Sequence, residues 1–199
     1  MLSPVLCPRN AADMKGLMKS AYYDPNPVVM FEHKGLNWSK VPGTDAAKTV
    51  EPDEDYVVPF GKARVALQSS EEAVDRGESV GVVTYGMGVY WAMNAAKSLV
   101  GQVEVLDLRT LSPYDEEAIE TLTKKHGKVL VLTEETLRNS FAEALAGRIS
   151  QSCFQYLDAP IRTMGSADVP AVPLNAAMEA IMLPNADKVE AVLREMLES

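Results

Sequence analysis

A small α/β domain on a doubly wound, mainly parallel sheet is the fold class this sequence predicts, and two observations carry the prediction. Beyond residue 60, short apolar runs alternate with longer stretches of helical periodicity. The runs are continuous rather than alternating, as in parallel strands covered on both faces. Connections this short demand right-handed crossovers between parallel strands. A third observation stands apart. Val28-Val29-Met30-Phe31 reads as another buried strand, yet nothing before it in the sequence has the pattern of a partner strand.

Taken in order, residues 11–23 read as a helix with Ala12, Leu17, Met18 and Ala21 on its apolar stripe and Asn10 as N-cap. Asp24-Pro25-Asn26-Pro27 stops it, because proline cannot continue a helix and pushes its predecessor out of the α region. The strand of residues 28–31 follows and ends in Glu32-His33-Lys34-Gly35. From about residue 34 to 59, Gly, Pro, Asp, Glu and Thr dominate, as in a surface linker containing a domain boundary.

The regular part then begins. Val80 to Tyr85 is a strand, Val89 to Leu99 a helix and Val103 to Leu108 a strand. Ser112-Pro113-Tyr114-Asp115 opens a helix with serine at N-cap and proline at N1, followed by the stripe Ala118, Ile119, Leu122. Val129 to Leu132 is the next strand, and the helix after it carries Phe141, Leu145 and Ile149. Ile161 to Met164 is the last strand. The last helix follows Pro184, with Asn185 as cap and Val189, Val192, Leu193 and Met196 facing inward. Residues 61–199 thus form a complete domain. Residues 1–33 are a helix and a strand with no sheet of their own, which cannot satisfy the strand edges. The expectation is that they are the torn end of another domain.

Bulk properties narrow the function classes. Of the 199 residues, 47% are hydrophobic and 24% charged, an ordinary globular composition. A net charge of −9 and a pI near 4.8 disfavour phosphate backbones and anionic membranes and favour basic partners. No apolar stretch approaches the roughly 20 residues that span a bilayer. Cys7 and Cys153 lie far apart without a metal-ligand spacing, which fits a reducing compartment.

Few residues point to chemistry. Gly86-Met87-Gly88 lies between strand and helix, but Trp91 stands where a dinucleotide fingerprint needs its third glycine, so a tight turn is the better reading. Asp107 follows about 20 residues on, as an acid of that fingerprint would. His33, at the carboxyl end of a strand between Glu32 and Lys34, is a candidate general base, against a solvated boundary. His126 reads as a favourable charge at a helix end. Glu134-Glu135 follows a strand without converging partners in sequence and reads as an interface or surface pair. The helix end at Asp24-Pro25-Asn26 leaves carbonyls that can accept water, a basic side chain or a monovalent cation.

Four segments carry a family resemblance: Ala12-Asp13-Met14-Lys15-Gly16-Leu17, Asp24-Pro25-Asn26-Pro27 through Phe31-Glu32-His33-Lys34, Val105-Leu106-Asp107-Leu108-Arg109-Thr110-Leu111-Ser112-Pro113, and Tyr156-Leu157-Asp158-Ala159-Pro160-Ile161. Together they resemble the beta subunit of the thiamine-diphosphate-dependent first component of 2-oxoacid dehydrogenase complexes, acting on pyruvate or branched-chain 2-oxo acids. The V-x-D-L-R-T-x-x-P stretch is shared with the wider transketolase group. The D-x-N-P-x-x-x-F-E and L-D-A-P segments point more sharply to the beta subunit.

The resemblance implies a division into residues 1–35, the remnant of a pyrimidine-binding domain, a linker over 36–60, and a transketolase C-terminal-like domain over 61–199. The activity implied is oxidative decarboxylation with acyl transfer to a lipoyl group. The family's activating glutamate and active-site histidine belong to a part absent here and do not transfer to Glu32 or His33, so the isolated chain is expected to be inactive. Thiamine diphosphate and magnesium are implied for the parent enzyme, bound mainly by the absent domain and the alpha subunit. Backbone carbonyls at Ala21, Asp24 and Asn26 match part of a potassium cage. Asp158 and the Ser199 carboxylate match a surface that docks the basic peripheral subunit-binding domain of the dihydrolipoyl acyltransferase. An alpha subunit or domain and a second beta subunit are the other implied partners, in the cytoplasm or, for a eukaryote, the mitochondrial matrix. Another transketolase-group enzyme and a non-catalytic acidic adaptor are the competing readings. The segment Thr133 to Phe141 departs from the family's glycine-rich pattern, with Asn139-Ser140-Phe141 in its place.

Overall fold

The fold is described by a computed structural model covering residues 3–38, 41–170 and 172–198. Its main sheet has five strands in the order β3-β5-β4-β7-β8, with β3 Arg64–Leu67, β4 Val80–Thr84, β5 Val103–Asp107, β7 Val129–Thr136 and β8 Arg162–Ser166. All neighbours are parallel except β3, which runs antiparallel to β5. This edge strand was not foreseen. It is short and begins with a charged residue, which suits a sheet edge and hides it from a search for apolar runs.

Strand pleating sorts the core into two layers. Val82, Val105, Leu130 and Leu132 face α4 (Met87–Ala95) and α8 (Ala186–Leu197). Val83, Leu106, Val129 and Val131 face α5 (Glu116–His126) and α6 (Phe141–Cys153). The doubly wound expectation therefore holds. Two further short helices, α3 (Glu71–Asp75) and α7 (Ala176–Met182), were not anticipated. Helix α5 starts later than expected. Its cap is Asp115, whose carboxylate accepts the Ala118 amide at 3.2 Å, while Ser112 ends a strand of its own, β6 (Thr110–Ser112).

That strand changes the reading of the N-terminal part. Val5–Leu6 forms β1, parallel to β2 (Val29–Met30) and antiparallel to β6. The run at residues 28–31 is therefore not unpaired: it belongs to a three-stranded sheet, β2-β1-β6, shared with the C-terminal part. A two-residue strand between Pro4 and Cys7-Pro8 has no periodicity to read, and its partner β6 lies about 100 residues away. Helix α1 (Ala11–Tyr23) is capped by Asn10 as expected and packs Leu17 with Leu6 and Val58 into a small core. The linker is not merely a surface crossing. Its α2 (Lys34–Asn37) and a short 3-10 turn bury Leu36 and Ala47 in the main core.

Candidate functional site

Strand β4 feeds α4 on one face of the sheet, and its neighbour β7 feeds α6 on the other. The crevice between their carboxyl ends is the topological switch point, where open α/β sheets place ligands. Tyr85 and Gly86 leave β4 on one side; Thr133, Glu134 and Glu135 lie toward the end of β7 on the other. Cys7, just beyond β1, and His33, just beyond β2, come in over the top from the N-terminal sheet.

His33 and Glu134, 101 residues apart in sequence, meet at 3.3 Å through Nε2 and Oε1. The other ring nitrogen, Nδ1, caps α2 by accepting the Leu36 amide at 3.2 Å, which assigns the neutral proton to Nε2. The Glu134 hydrogen bond raises the His33 pKa above its ordinary value, and partial burial opposes it. Glu134 thus has the converging partner that its sequence context hid. No local pattern could have supplied it, since only the shared position at strand ends relates the two residues. Glu135 is held separately, accepting from the Tyr85 hydroxyl at 3.2 Å and the Phe141 amide at 2.9 Å.

Cys7 is no nucleophile at neutral pH. Burial pushes its thiol up to about 12, and the charges of Asp107 and Glu134 add to this. Its Sγ packs against Gly86, whose φ is +56° and where a Cβ would stand 3.2 Å from the sulfur. At Gly88 a Cβ would run into the Thr84 hydroxyl, so the helix can close on the strand only with glycine there. The turn reading of Gly86-Met87-Gly88 follows from that packing. A diphosphate does not fit this crevice, because Cys7 fills it against Gly86 and the neighbouring groups are carboxylates.

Beside the crevice lies a buried charged junction that sequence reasoning missed. Arg9 Nε donates to Asp107 Oδ2 at 2.8 Å, and Arg109 Nη1 meets Asp13 Oδ1 at 3.3 Å. The Tyr90 hydroxyl donates to the Arg9 carbonyl at 2.9 Å. Arg109 itself is left-handed, with φ +57°, its amide bonded to Asp107 Oδ1 and its guanidinium to the carbonyls of Lys62 and Ala63. Burial raises the Asp107 carboxyl to about 6, Arg9 pulls it down and Asp13 pushes it up. Only the D-L-R motif hinted at this role.

The other expected sites stay apart. The Ala21 carbonyl accepts the Asp24 amide at 3.4 Å, and Asp24 Oδ1 accepts the Asn26 amide at 2.8 Å, so the side chain of Asp24 fixes the turn. Among the described residues no group of three or more His, Cys, Asp or Glu is placed to hold a metal ion. Asp158 is exposed, next to exposed Phe154 and Tyr156, and its amide donates to Gly127 O at 2.9 Å. The Arg162–Glu195 ion pair, at 3.1 Å, holds the end of α8 beside the start of β8, at the same end of the sheet as Asp158. Ser199 lies outside the described residues. His126 is not a solvent-facing helix-end charge: it is buried, with Ser79 Oγ at 2.8 Å from Nδ1. Among the described residues no helix is long and apolar enough to cross a membrane.

Comparison with known proteins agrees with this architecture. The family model for the transketolase C-terminal domain matches residues 71–189. The 2-oxoisovalerate dehydrogenase subunit beta of Bacillus subtilis (strain 168) is 39% identical over 197 residues, covering 98% of this chain and 56% of that protein. The pyruvate dehydrogenase E1 component subunit beta of Rhizobium meliloti (strain 1021) is 38% identical over 194 residues, covering 94% of this chain and 38% of that one. The acetoin:2,6-dichlorophenolindophenol oxidoreductase subunit beta of Cupriavidus necator is 30% identical and covers 98% and 53%. The chain spans about half the length of the curated relatives it matches. A solved split gene transketolase, described as an inactive beta4 tetramer, shares the fold with a TM-score of 0.72 at 19% identity, over 98% of this chain and 58% of that one. With the doubly wound sheet in place and the family model covering more than half of its length, this chain belongs to the transketolase C-terminal-domain family.

Proposed function

We propose that this chain is a C-terminal part of the beta subunit of a 2-oxoacid dehydrogenase first component, serving subunit assembly and docking to the acyltransferase core. The observation that carries this reading is the similarity to a 2-oxoisovalerate dehydrogenase beta subunit along 98% of the chain. The structure adds a reason to expect partners. The N-terminal unit leaves Met18, Tyr22, Tyr23, Val29, Phe31 and Trp38 exposed, and β2 is an edge strand of its sheet. Large apolar side chains exposed in this number, next to an unpaired strand edge, favour an interaction surface. In the proposed division, residues 1–35 close a pyrimidine-binding domain, 36–60 link, and 61–199 form the C-terminal-like domain. The face at 18–38 then meets the alpha subunit and the second beta subunit.

In the parent enzyme, thiamine diphosphate with magnesium would be held mainly by a domain outside this chain and by the alpha subunit, and would supply the chemistry for decarboxylating a 2-oxo acid and passing its acyl group to a lipoyl arm. This chain's residues hold the framework. The Arg9–Asp107 and Asp13–Arg109 pairs lock the cofactor-side unit onto the C-terminal domain. Asp158 and the Ser199 carboxylate receive the basic subunit-binding domain of the dihydrolipoyl acyltransferase, as does the acidic end of α8. The carbonyls of Ala21, Asp24 and Asn26 contribute to a weak potassium site, which would raise the melting temperature in potassium over sodium chloride. The compartment is the cytoplasm, or the mitochondrial matrix in a eukaryote.

The test is calorimetry of the 199-residue chain with a peripheral subunit-binding domain. Asp158→Ala should weaken binding by about tenfold, as expected for a charged partner removed from an interface. Unchanged affinity removes Asp158 from the surface, and no binding by the parent chain removes the docking role. Decarboxylation of a 2-oxo acid by the chain alone would contradict its assignment as a non-catalytic part.

A further inference from the structure

His33 and Glu134 of the switch-point crevice also line an open cavity of about 320 Å³, together with Glu179, Trp91, Met87 and Leu183. Its parts come from four separate places in the chain: the turn after β2, the end of β7, the start of α4, and α7 with the residues after it. The volume lies at the small end of ligand pockets, and the position at the carboxyl ends of β4 and β7 is where doubly wound sheets bind ligands. The docking role proposed above does not use this cavity. It lies at the carboxyl ends of the strands, whereas Asp158 precedes β8 at the opposite end.

From its chemistry we infer that the cavity binds a small apolar primary amine in its ammonium form. The carboxylates of Glu134 and Glu179 line the cavity with one imidazole, and the nearby Lys188 ammonium is held by the carbonyls of Ala180, Ile181 and Leu183, so with His33 neutral the carboxylates outnumber the cations at the site. An ammonium can replace its hydration with charge-assisted hydrogen bonds to those carboxylates. Free carboxylates and phosphates meet repulsion. The apolar body of the ligand then lies along Met87, Leu183 and the indole of Trp91, which attracts a cation as well as a hydrocarbon. His33 is a positioning residue here. Tied through Nδ1 to the Leu36 amide, its ring presents Nε2 to Glu134 and fixes that carboxylate at the mouth of the cavity.

Trp38 and Trp91 are the two tryptophans of the chain, so Trp38→Phe leaves an indole reporter in the cavity wall. In that background the probes are isoamylamine, isoamyl alcohol and isovalerate at neutral pH, read by Trp91 emission and by calorimetry. The expected result is a saturable response to isoamylamine alone. Glu179→Gln, on an exposed helix with little at stake in folding, should weaken it by about tenfold or more, as should Glu134→Gln. Circular dichroism checks that each variant keeps the parent fold. A lack of saturation by the amine overturns the inference. So does an equal response to the alcohol, which would mean simple partitioning into an apolar cleft, or unchanged amine affinity in folded Glu179→Gln.

Discussion

Glu104 and Asp107 stand toward opposite ends of one buried strand, β5, and their charges are handled in opposite ways. Glu104, at the base of the sheet, is crowded with donors: Gln68 Nε2 at 2.7 Å, Ser69 Oγ at 3.1 Å and Lys125 Nζ at 2.5 Å, with His126 Nε2 at an ion-pair distance of 3.6 Å. Burial raises its pKa, and Lys125 and His126 more than offset this, so it falls to about 2. Asp107, at the top, is wholly buried with one arginine directly on it and a second carboxylate, Asp13, close by. Its pKa rises to about 6. The base anchor lies within one unit of the fold. The top pair joins two units, and there the charges are balanced so closely that a proton matters near physiological pH.

The largest consequence follows from how many donors each acid has. Arg9→Ala leaves Asp107 buried without its ion-pair partner and should cost about 3–5 kcal/mol at pH 8. Lys125→Ala removes one donor of several from Glu104 and should cost less, about 1–3 kcal/mol. Urea denaturation of both variants measures the order. At pH 5 the Arg9→Ala cost should shrink, since Asp107 can then take a proton. Equal costs at pH 8 would break the contrast between the two ends of the strand.

Acid titration is the next test, and the two groups pull in opposite directions. The Asp107 carboxyl, raised in the folded chain, binds its proton before the unfolded chain does. Its contribution to stability therefore rises as pH falls from about 6 toward the unfolded value near 4. Glu104, depressed when folded, contributes fully above its unfolded value, and that contribution is lost as pH falls from about 4.3 toward about 2. Asp107→Asn should flatten the upper limb of a plot of urea midpoint against pH, and Glu104→Gln the lower limb. If either substitution alters the other's limb instead, the assignment of the two windows is wrong.

How far each region could be read in advance follows from the range of its interactions. The core strands β4, β5 and β7 and the caps Asn10 and Asn185 were legible because apolar runs and capping side chains are local signals. The strand β1 was not, being two residues long and paired with β6 across the whole chain. With that pairing hidden, the run at residues 28–31 reads from sequence as unpartnered. The same distance hid the site. His33 and Glu134 each gave half of a signal at a strand end, and Arg9 with Asp13 gave none until the fold set them against Asp107 and Arg109. The spacing of Asp107 from Gly86 suggests a nucleotide role that Trp91, buried where a glycine is needed, rules out in the fold as in the motif.

The smallest expected effect lies at the half-buried His33–Glu134 link in the crevice beside that junction. The Glu134 bond raises His33, so the link contributes fully below the unfolded histidine value near 6.5 and is lost as pH rises through the folded one. Protonation has a local cost, however, because Nδ1 must give up the Leu36 amide it caps. The net contribution of so exposed a pair should stay below about 1 kcal/mol. His33→Gln keeps a donor for Glu134 but cannot titrate, so it should remove a shallow slope that begins near the ordinary histidine value of about 6.5 and extends above it, and leave the Asp107 limb intact. Hydrogen exchange of the Leu36 and Asn37 amides reads the cap directly: faster exchange below pH 6 in the parent chain, absent in His33→Gln, would show the histidine exchanging its cap for its ion pair. If those amides exchange no faster in acid, with base catalysis of exchange corrected for, the cap is kept on protonation and His33 is a fixed part of the crevice rather than a responsive one.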